Sequence, residues 1–461
     1  MSPSVHLAPT TVVIIGAGFA GICMASTLQL RLSVYDYCIY DRNADIGGVW
    51  YKNTYPGCAV DIPGFCYSLS FGPRPNYSRM YPPQREILEY LDSVARHFGV
   101  HQHFTGSRDW TGSSWNDGDQ EWTIELQDVS SGQRYIQRCQ FLISCVGGLT
   151  NPRQVLLPGM DCFRGAIMHT ARWDHEVKFD DKRVVVIGNG ASAAQLIPAL
   201  AGTPSHITQV MRTPEYLVPS SDRTLSRVAQ LLLRWMPGPW LVIRMLIFIY
   251  MEMTLLFFQK SKVGEIGRKI SEQESLAHMR ESTPSRRIFN KAYTAALHRP
   301  DVDVVRGHVT QVQEFSVVLN QGQEIDADII VFATGFETSQ YDTPMQGSGG
   351  ETRLNHWKKR GHKSTYKSVA MSGFPNMFFV LGPNSGRLHT STLLSIEWHS
   401  EYITRVIKPI IIGNKGGTVQ VRARDENMYQ ARLLEALKYT VHDASCSSVK
   451  WDALKAWQYA I

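Results

Sequence analysis

The sequence is poor in the patterns that mark several classes of protein. Its eight cysteines form no C-x-x-C pair, and several of them lie in apolar runs. This distribution argues against a zinc site, a disulfide framework and a dithiol reductase. We therefore expect buried free thiols in a reducing compartment, and no metal.

An excess of one charge is also missing. Charged residues make up 19% of the 461 residues, the net charge is only +6, and no Lys/Arg run is interleaved with aromatic residues. We therefore expect no nucleic-acid partner, although the charge could favour an anionic cofactor or a membrane surface. The N-terminal MSPSVHLAPT has no basic region followed by an apolar run, so no secretory signal is predicted. The length and the hydrophobic content of 43% predict two or three globular domains.

A glycine-rich turn organises the first forty residues. The apolar run from Val12 to Ile15 leads into GAGFAG, a helix pattern follows, and the next apolar strand ends at Asp41. In such a turn Gly16, Gly18 and Gly21 allow close approach to a pyrophosphate, and the helix N-terminus offers N–H groups to the phosphates. The distal carboxylate binds a ribose hydroxyl. The stretch predicts dinucleotide binding, and the alternative is a turn whose glycines serve only packing.

The same pattern returns after residue 182. RVVVI runs into GNGASA, and about twenty residues later Arg212 stands where the first unit has its acid. A guanidinium can hold a 2′-phosphate that a carboxylate would repel, with a contribution of about 1.5–3 kcal/mol. The two units therefore predict an FAD site and an NADPH site. The alternative for Arg212 is an exposed arginine at the end of a strand.

A long loop follows the first unit. Residues 45–61 are rich in glycine, proline and aromatic residues and have no periodicity, which is typical of an ordered functional loop. The alternative is a surface loop with a turn at YPG. After it, residues 84–98 predict an amphipathic helix, and residues 104–146 predict a β-meander that leads back to the first sheet.

The α/β pattern is interrupted between residues 217 and 280. This stretch is helical in pattern and contains the apolar segment 240–258, in which Arg244 and Glu252 share one helix face. Three interpretations stay open: a lid helix over an apolar substrate cavity, a helix docked on a membrane surface, and a membrane span.

Buried strands return near residues 301–305, 328–335 and 373–386, followed by a helix over 392–407. The fold class predicted is α/β, with two Rossmann-like dinucleotide-binding domains and a helical insertion. The predicted order is a first FAD-binding part (1–150), a first NADPH-binding part (151–217), the insertion (218–283), a second NADPH-binding part (284–362) and a second FAD-binding part (363–461).

Two further motifs resemble a known family. Residues 163–174, FRGAIMHTARWD, fit the FxGxxxHxxxWD fingerprint of Baeyer–Villiger monooxygenases, and GGVW at 47–50 with YPG at 55–57 and Asp61 fits their second signature. ATG at 333–335 and FPN…GPNS at 374–385 follow in the expected order. The chain is similar to this family over nearly its whole length, and among its members it most resembles fungal enzymes of secondary metabolism.

The resemblance implies a role for each matching residue. His169 and Trp173 correspond to hinge residues that respond to cofactor binding, and Arg287 corresponds to the catalytic arginine, with Arg286 in place of the usual lysine. Asp61 would hold that arginine. The FAD residues would be Gly16, Gly18, Phe19, Gly21, Asp41, Val49, Trp50, Asp61, Ile62 and Tyr67, and the NADPH residues Gly188, Asn189, Gly190, Ala191, Ser192, Arg212 and Thr213.

The activity implied is insertion of one oxygen atom from O₂ into an apolar ketone through a C4a-peroxyflavin, which gives an ester or lactone. The alternatives are an electrophilic monooxygenase acting on sulfur, nitrogen or alkenes, and an NADPH oxidase-like flavoprotein. We expect a cytoplasmic enzyme, with membrane-surface contact through 240–258 left open. The sequence departs from the family at Asp41, where glutamate is usual, at Ala59 and Val60, and at Arg387-Leu388 before His389.

Overall fold

Strands and helices alternate along most of the chain. The computed structural model describes residues 3–149, 151–212, 217–218, 222–279, 288–289, 291–337, 343–385, 391–413 and 417–439. The strands are β1 (Val5–His6), β2 (Thr10–Ile15), β3 (Tyr37–Tyr40), β4 (Phe104–Thr105), β5 (Arg108–Asn116), β6 (Glu121–Asp128), β7 (Arg134–Ser144), β8 (Ala166–His169), β9 (Arg183–Ile187), β10 (His206–Met211), β11 (Leu217–Val218), β12 (Ile288–Phe289), β13 (Val302–Arg306), β14 (Val309–Val312), β15 (Ser316–Leu319), β16 (Glu324–Asp326), β17 (Ile329–Phe332), β18 (Met345–Gln346) and β19 (Met377–Phe379).

The helices connect these strands and form the insertion. They are α1 (Phe19–Leu32), α2 (Val49–Lys52), α3 (Gln84–His97), α4 (Ala191–Leu200), α5 (Arg227–Trp235), α6 (Pro237–Met253), α7 (Lys262–Met279), α8 (Lys291–Leu297), α9 (Arg353–Arg360), α10 (Thr392–Ile412) and α11 (Ala423–Lys438). Short 3₁₀ turns include Gly64–Cys66 and Thr254–Phe258.

The first sheet combines a parallel core with an antiparallel edge. Its strands lie in the order β18-β5-β6-β7-β2-β3-β4, and β1 and β19 also pair with β7. In the core, Ile15 of β2 pairs with Tyr40 of β3 on one side and with Ser144 of β7 on the other. Strand β2 is buried almost throughout, as expected of a parallel strand covered on both faces. The predicted meander is β5-β6-β7, and its last strand belongs to this core.

The second sheet is smaller and wholly parallel. Its order is β13-β10-β9-β17-β8, so that β9, which precedes the second glycine turn, lies between β10 and β17. This matches the position of β2 between β3 and β7 in the first sheet. The ends of β9 and its neighbours therefore meet at one edge, where ligands bind in open α/β sheets.

Three helices, α5, α6 and α7, form the predicted insertion. Helix α6 packs its inner side against the 3₁₀ turn Gly64–Cys66, and most of its remaining surface is exposed. Among the described residues one helical stretch, Gly238–Phe257, is long and apolar enough to cross a membrane, and 6% of it is buried.

The helix predictions hold with small shifts of their ends. The helix predicted over 84–98 ends at His97, and the one predicted over 392–407 continues to Ile412 through Pro409. The bounds of the five predicted segments stay a prediction, and β18, which lies inside the predicted second NADPH-binding part, pairs with β5 of the first sheet at Met345.

Candidate active site

The first glycine turn is held against the strand that follows it. Gly16 donates its N–H to the carbonyl oxygen of Tyr40 at 2.7 Å and has a φ of +106°. A Cβ at this position would lie 2.4 Å from the carbonyl oxygen of Cys145, so only glycine fits. Helix α1 then begins at Phe19 without a side-chain cap from Gly18. Its first N–H groups are therefore available to a phosphate.

Asp41 lies directly beside this turn. Its side chain is buried, and its carboxylate accepts N–H groups from Ala17 at 2.7 Å and from Asn43 at 2.8 Å. Burial raises the pKa of the Asp41 carboxyl, and these two N–H groups oppose that rise. The carboxylate is thus fixed at the position where the sequence analysis predicts a ribose hydroxyl.

The second signature is held against the first turn. Gly47 donates its N–H to the carbonyl oxygen of Ala17 at 2.9 Å, and the half-buried Val49 opens helix α2. The buried Trp50 donates its Nε1–H to the hydroxyl of Tyr67 at 3.1 Å. Phe19 meets the Tyr67 ring edge to face at 5.2 Å. Four predicted FAD residues, namely Phe19, Val49, Trp50 and Tyr67, are therefore brought together here.

Asp61 ends the long loop 45–61, and Ile62 follows it. Asp61 is accessible at its surface, yet protein atoms surround it closely enough to raise the pKa of its carboxyl through desolvation, against a hydrogen bond from its own N–H. Ile62 is half-buried.

The second glycine turn repeats the geometry of the first. Gly188 donates its N–H to the carbonyl oxygen of Val210 at 3.0 Å, has a φ of +123°, and leaves a Cβ only 2.4 Å from the carbonyl oxygen of Ala333. Helix α4 begins at Ala191 without a side-chain cap from Gly190. The exposed Arg212 comes directly after β10, next to this turn. The structure thus brings together the predicted NADPH residues Gly188, Asn189, Gly190, Ala191, Ser192 and Arg212.

The fingerprint 163–174 lies at the edge of the second sheet. His169 ends β8, pairs with Phe332 of β17, and accepts the N–H of Ala171 on Nδ1 at 3.0 Å. Burial lowers the pKa of His169 to about 4, so the ring is neutral at physiological pH. Trp173 stacks on Phe179 at 5.3 Å. The hinge role implied for His169 and Trp173 stays a prediction.

Several buried polar atoms have no hydrogen-bond partner within the described parts of the chain. Asn53 Oδ1 follows helix α2, Ser144 Oγ ends β7 beside Ile15, and Thr170 Oγ1 and Thr334 Oγ1 follow β8 and β17. Buried polar groups are normally paired with protein, water or a ligand, so these four atoms are available to a bound ligand or to ordered water. Together with two uncapped helix N-termini and Asp41, they fit a bound FAD in the first unit and a second dinucleotide in the other.

Two predicted site residues cannot be located. Arg287 and Thr213, like Arg286, lie outside the described residues. Two contacts were not predicted from the sequence: the hydrogen bond between Tyr55 and Gln195, 140 positions apart, and the two hydrogen bonds that Arg244 donates to Ser68. The signals for them were the YPG motif, interpreted as a turn, and the position of Arg244 on the polar face of segment 240–258.

A family model described as flavin-binding monooxygenase-like matches residues 10–348. The chain belongs to the flavin-binding monooxygenase family. A Baeyer–Villiger monooxygenase of Streptomyces coelicolor is 31% identical and covers 96% of this chain and 86% of its own length. An FAD-binding monooxygenase of Aspergillus niger is also 31% identical and covers 95% of this chain and 76% of its own length.

Solved structures share the fold of this monooxygenase. The open crystal structure of cyclohexanone monooxygenase superposes with a TM-score of 0.81 over 98% of this chain and 96% of the other, at 24% identity. An oxidised steroid monooxygenase bound to NADP gives a TM-score of 0.82 over 98% and 96%, at 22% identity. The predicted fold class, the family resemblance, the enzymatic nature of the chain and its flavin cofactor are therefore confirmed.

Proposed function

We propose that this monooxygenase is a Baeyer–Villiger enzyme that uses FAD, NADPH and O₂ to convert an apolar ketone into an ester or lactone. The observation that carries the proposal is the pair of glycine turns whose next strands lead to opposite charges, Asp41 and Arg212, with the fingerprint strand β8 at the edge of the sheet that carries the second turn. The Baeyer–Villiger name of the Streptomyces coelicolor relative supports the reaction type. A place in fungal secondary metabolism is supported only by relatives from Aspergillus niger and Botryotinia fuckeliana.

The first unit would hold the FAD. Asp41 would accept a hydrogen bond from the adenosine ribose, and the first turn of α1 would bind the pyrophosphate at Gly18 and Phe19. Trp50 and Tyr67, already joined by a hydrogen bond, would form an apolar wall beside the flavin ring. Bound FAD would accept the hydride of NADPH and activate O₂.

The second unit would hold NADPH. The first turn of α4, at Ala191 and Ser192, would bind its pyrophosphate, and Arg212 would bind the 2′-phosphate that distinguishes NADPH from NADH. The proposed preference for NADPH rests on the position of Arg212 immediately after β10.

Asp61 and Arg287 would stabilise the reacting oxygen. The surroundings of Asp61 penalise its charged form, so an adjacent guanidinium would restore the carboxylate and be held by it. A guanidinium held in this way can stabilise negative charge that develops on a substrate oxygen. Trp50, Tyr67 and the turn Gly64–Cys66 would keep water away from this region.

The test uses the purified enzyme loaded with FAD. With NADPH, ¹⁸O₂ and a panel of apolar cyclic and long-chain ketones, we expect one labelled oxygen in an ester or lactone. Thioethers in the same assay detect electrophilic oxygenation. Labelled sulfoxide without any labelled ester would overturn the ketone assignment, and NADPH consumption with only hydrogen peroxide as product would support the oxidase alternative.

We also propose that the enzyme is cytoplasmic and contacts a membrane surface through segment 240–258. Arg244, the basic residue in the middle of α6, points inward and donates to the carbonyl oxygen and hydroxyl of Ser68, while Trp240 is buried. The outward side of α6 is apolar and exposed: Leu241, Val242, Met245, Leu246, Phe248, Ile249, Tyr250 and Met253. A helix packed on protein along one side and apolar on the other is typical of one lying in the membrane interface.

The charge around α6 favours an anionic bilayer over a second copy of this chain. Residues 222–279 carry eight basic residues, Arg223, Arg227, Arg234, Arg244, Lys260, Lys262, Arg268 and Lys269, and five acidic ones, Asp222, Glu252, Glu265, Glu272 and Glu274. The net charge of this stretch is therefore +3. Two copies would repel each other there, whereas acidic lipid headgroups attract basic residues by about 1 kcal/mol each.

Vesicle flotation tests this contact on the intact holoenzyme. We expect binding to phosphatidylcholine vesicles containing phosphatidylserine, weaker binding without it, and loss of binding in Leu246→Asp. The matched control is Leu354→Asp, because Leu354 is an exposed leucine on α9, away from the insertion. Absence of the wild-type enzyme from both vesicle types, or a dimer that Leu246→Asp dissociates, would overturn the membrane contact.

A further inference from the structure

A buried bridge joins the NADPH unit to the loop that ends in Asp61. The hydroxyl of Tyr55 donates to Gln195 Oε1 at 2.7 Å, and Gln195 Nε2 donates to the carbonyl oxygen of Ala59 at 2.9 Å. Gln195 lies on α4, one helical turn after Ala191, whereas Tyr55 and Ala59 lie on the loop that contains the second signature. One glutamine therefore holds the loop at two points, four residues apart.

The bridge also reaches the predicted NADPH site itself. Ser192, a residue in the first turn of α4, lies close enough to the Tyr55 hydroxyl to lower its pKa against the effect of burial. Tyr55 is only 7% exposed, and burial raises the pKa of its hydroxyl well above the usual value. The hydroxyl thus stays protonated and keeps its donor role at all physiological pH values.

Backbone packing makes this contact close. Gly57, with a φ of +80°, lies so near α4 that a Cβ there would approach the carbonyl oxygen of Gln195 to 2.3 Å. On the other side, Cys58 and Val60 form backbone hydrogen bonds with Gln84 and Pro82 at the start of α3. A shift of α4 would therefore be passed to a loop that has little room to absorb it.

A second contact from the NADPH unit acts on the same loop. His175 Nε2 lies 2.9 Å from the hydroxyl oxygen of Thr54, directly before Tyr55. His175 follows the fingerprint 163–174, so both the fingerprint and α4 reach the loop between Thr54 and Ala59. Asp61 is two residues beyond Ala59.

We propose that Tyr55 and Gln195 are positioning residues that couple occupancy of the NADPH site to the flavin-side loop ending in Asp61. The proposal rests on the proposed function in that it takes α4 as the NADPH-binding helix. Binding of the pyrophosphate at Ala191 and Ser192 fixes the first turn of α4, and the bridge transmits that position to Ala59. Without the bridge both cofactors still bind, but occupancy of the NADPH site no longer affects the loop on the flavin side.

The test is Tyr55→Phe, which removes one hydroxyl and little else. The primary measurement is the change in the flavin absorbance spectrum when NADP⁺ is added to the oxidised holoenzyme, a readout that needs no turnover. We expect Tyr55→Phe to keep its FAD, to lose more than half of the NADP⁺-induced change, and to weaken NADP⁺ binding three- to tenfold, as expected for one hydrogen bond. Gln195→Met removes both halves of the bridge and should have the larger effect.

Tyr37→Phe is the matched control. Tyr37 is a buried tyrosine whose hydroxyl accepts a hydrogen bond from Gln29 Nε2 at 2.7 Å, and both residues belong to the first unit. It should lose similar stability and keep the full response to NADP⁺. An unchanged response in both Tyr55→Phe and Gln195→Met, or an equal loss in Tyr37→Phe, would overturn the coupling. If the wild-type flavin itself ignores NADP⁺, the assignment of the NADPH site fails instead.

Discussion

The two dinucleotide units have the same backbone and different ends. Ile15 pairs with Tyr40 in the first unit, and Ile187 pairs with Val210 in the second. In each unit the first glycine donates its N–H to the carbonyl oxygen of the second residue of that pair, and a Cβ on this glycine would lie 2.4 Å from the carbonyl oxygen of the residue that follows the neighbouring strand. Under the proposed function, the shared turn binds a pyrophosphate in both units, and the residue after the second strand distinguishes a ribose hydroxyl from a 2′-phosphate.

The difference lies in position as well as in charge. Asp41 comes one residue after Tyr40, is buried, and is held by two N–H groups, whereas Arg212 comes two residues after Val210 and is exposed. A ribose hydroxyl needs an oriented acceptor close to the turn. A 2′-phosphate extends further out, where a long guanidinium side chain can reach it.

Substituting the equivalent glycines should have the largest effect and should separate the two units. Gly16→Ala and Gly188→Ala each force a methyl group against a backbone carbonyl at a positive φ, where the strain alone costs about 1–3 kcal/mol. We expect Gly16→Ala to lose FAD. Gly188→Ala should keep FAD and bind NADP⁺ weakly. Flavin absorbance after gel filtration and NADP⁺ titration measure the two effects, and loss of FAD in Gly188→Ala would contradict the independence of the units.

Removing the positive charge that follows β10 should have the next largest effect. Arg212→Ala should lower kcat/KM for NADPH about ten- to a hundredfold and leave that for NADH nearly unchanged. Steady-state kinetics with both coenzymes measure the ratio. Arg42→Ala, an exposed arginine beside Asp41 in the first unit, is the control. An equal loss with NADPH and NADH would mean that Arg212 does not contact the 2′-phosphate.

The Asp61 carboxyl should have a smaller effect. We expect it to lower the stability of the folded chain at neutral pH and to support ester formation. Its pKa is raised in the folded chain, so ionisation is disfavoured there and stability falls as the pH rises above the unfolded pKa of about 3.9. We expect Asp61→Asn to raise the melting temperature of the FAD-free protein at pH 7, with the gain shrinking towards pH 4, and to lower ester formation in the holoenzyme. Calorimetry at several pH values measures the gain, and no gain at pH 7 would contradict the desolvation of Asp61.

His169 should produce the smallest effect. Because burial lowers its pKa to about 4, the ring stays neutral between pH 8 and pH 5. We expect its proton NMR signals to keep a nearly constant chemical shift over this range. A titration of His169 near neutral pH would return it to the candidates for proton transfer.

Much of this arrangement could be predicted from the sequence, and the reason is local. Short stretches of sequence predict both glycine turns and the charged residues Asp41 and Arg212, because the strand, the glycine turn, the helix and the next strand follow one another directly along the chain. The bridge between Tyr55 and Gln195 could not be predicted, because it joins positions 140 apart and depends on how one unit lies on the other. The outward exposure of α6 could not be predicted either, since an apolar helix pattern is the same whether the helix is covered or not.

The order of strands also constrains how the chain is made. The second sheet has all its strands once Phe332 has been synthesised, whereas β7 of the first sheet acquires its partner β19 only at Met377. The N-terminal part of a chain leaves the ribosome first. The second sheet can therefore be complete while the first sheet still has an unpaired edge at the end of β7. The unit whose synthesis begins first is therefore the last to close, and the nascent chain has to carry an unpaired hydrophobic edge until its final quarter emerges.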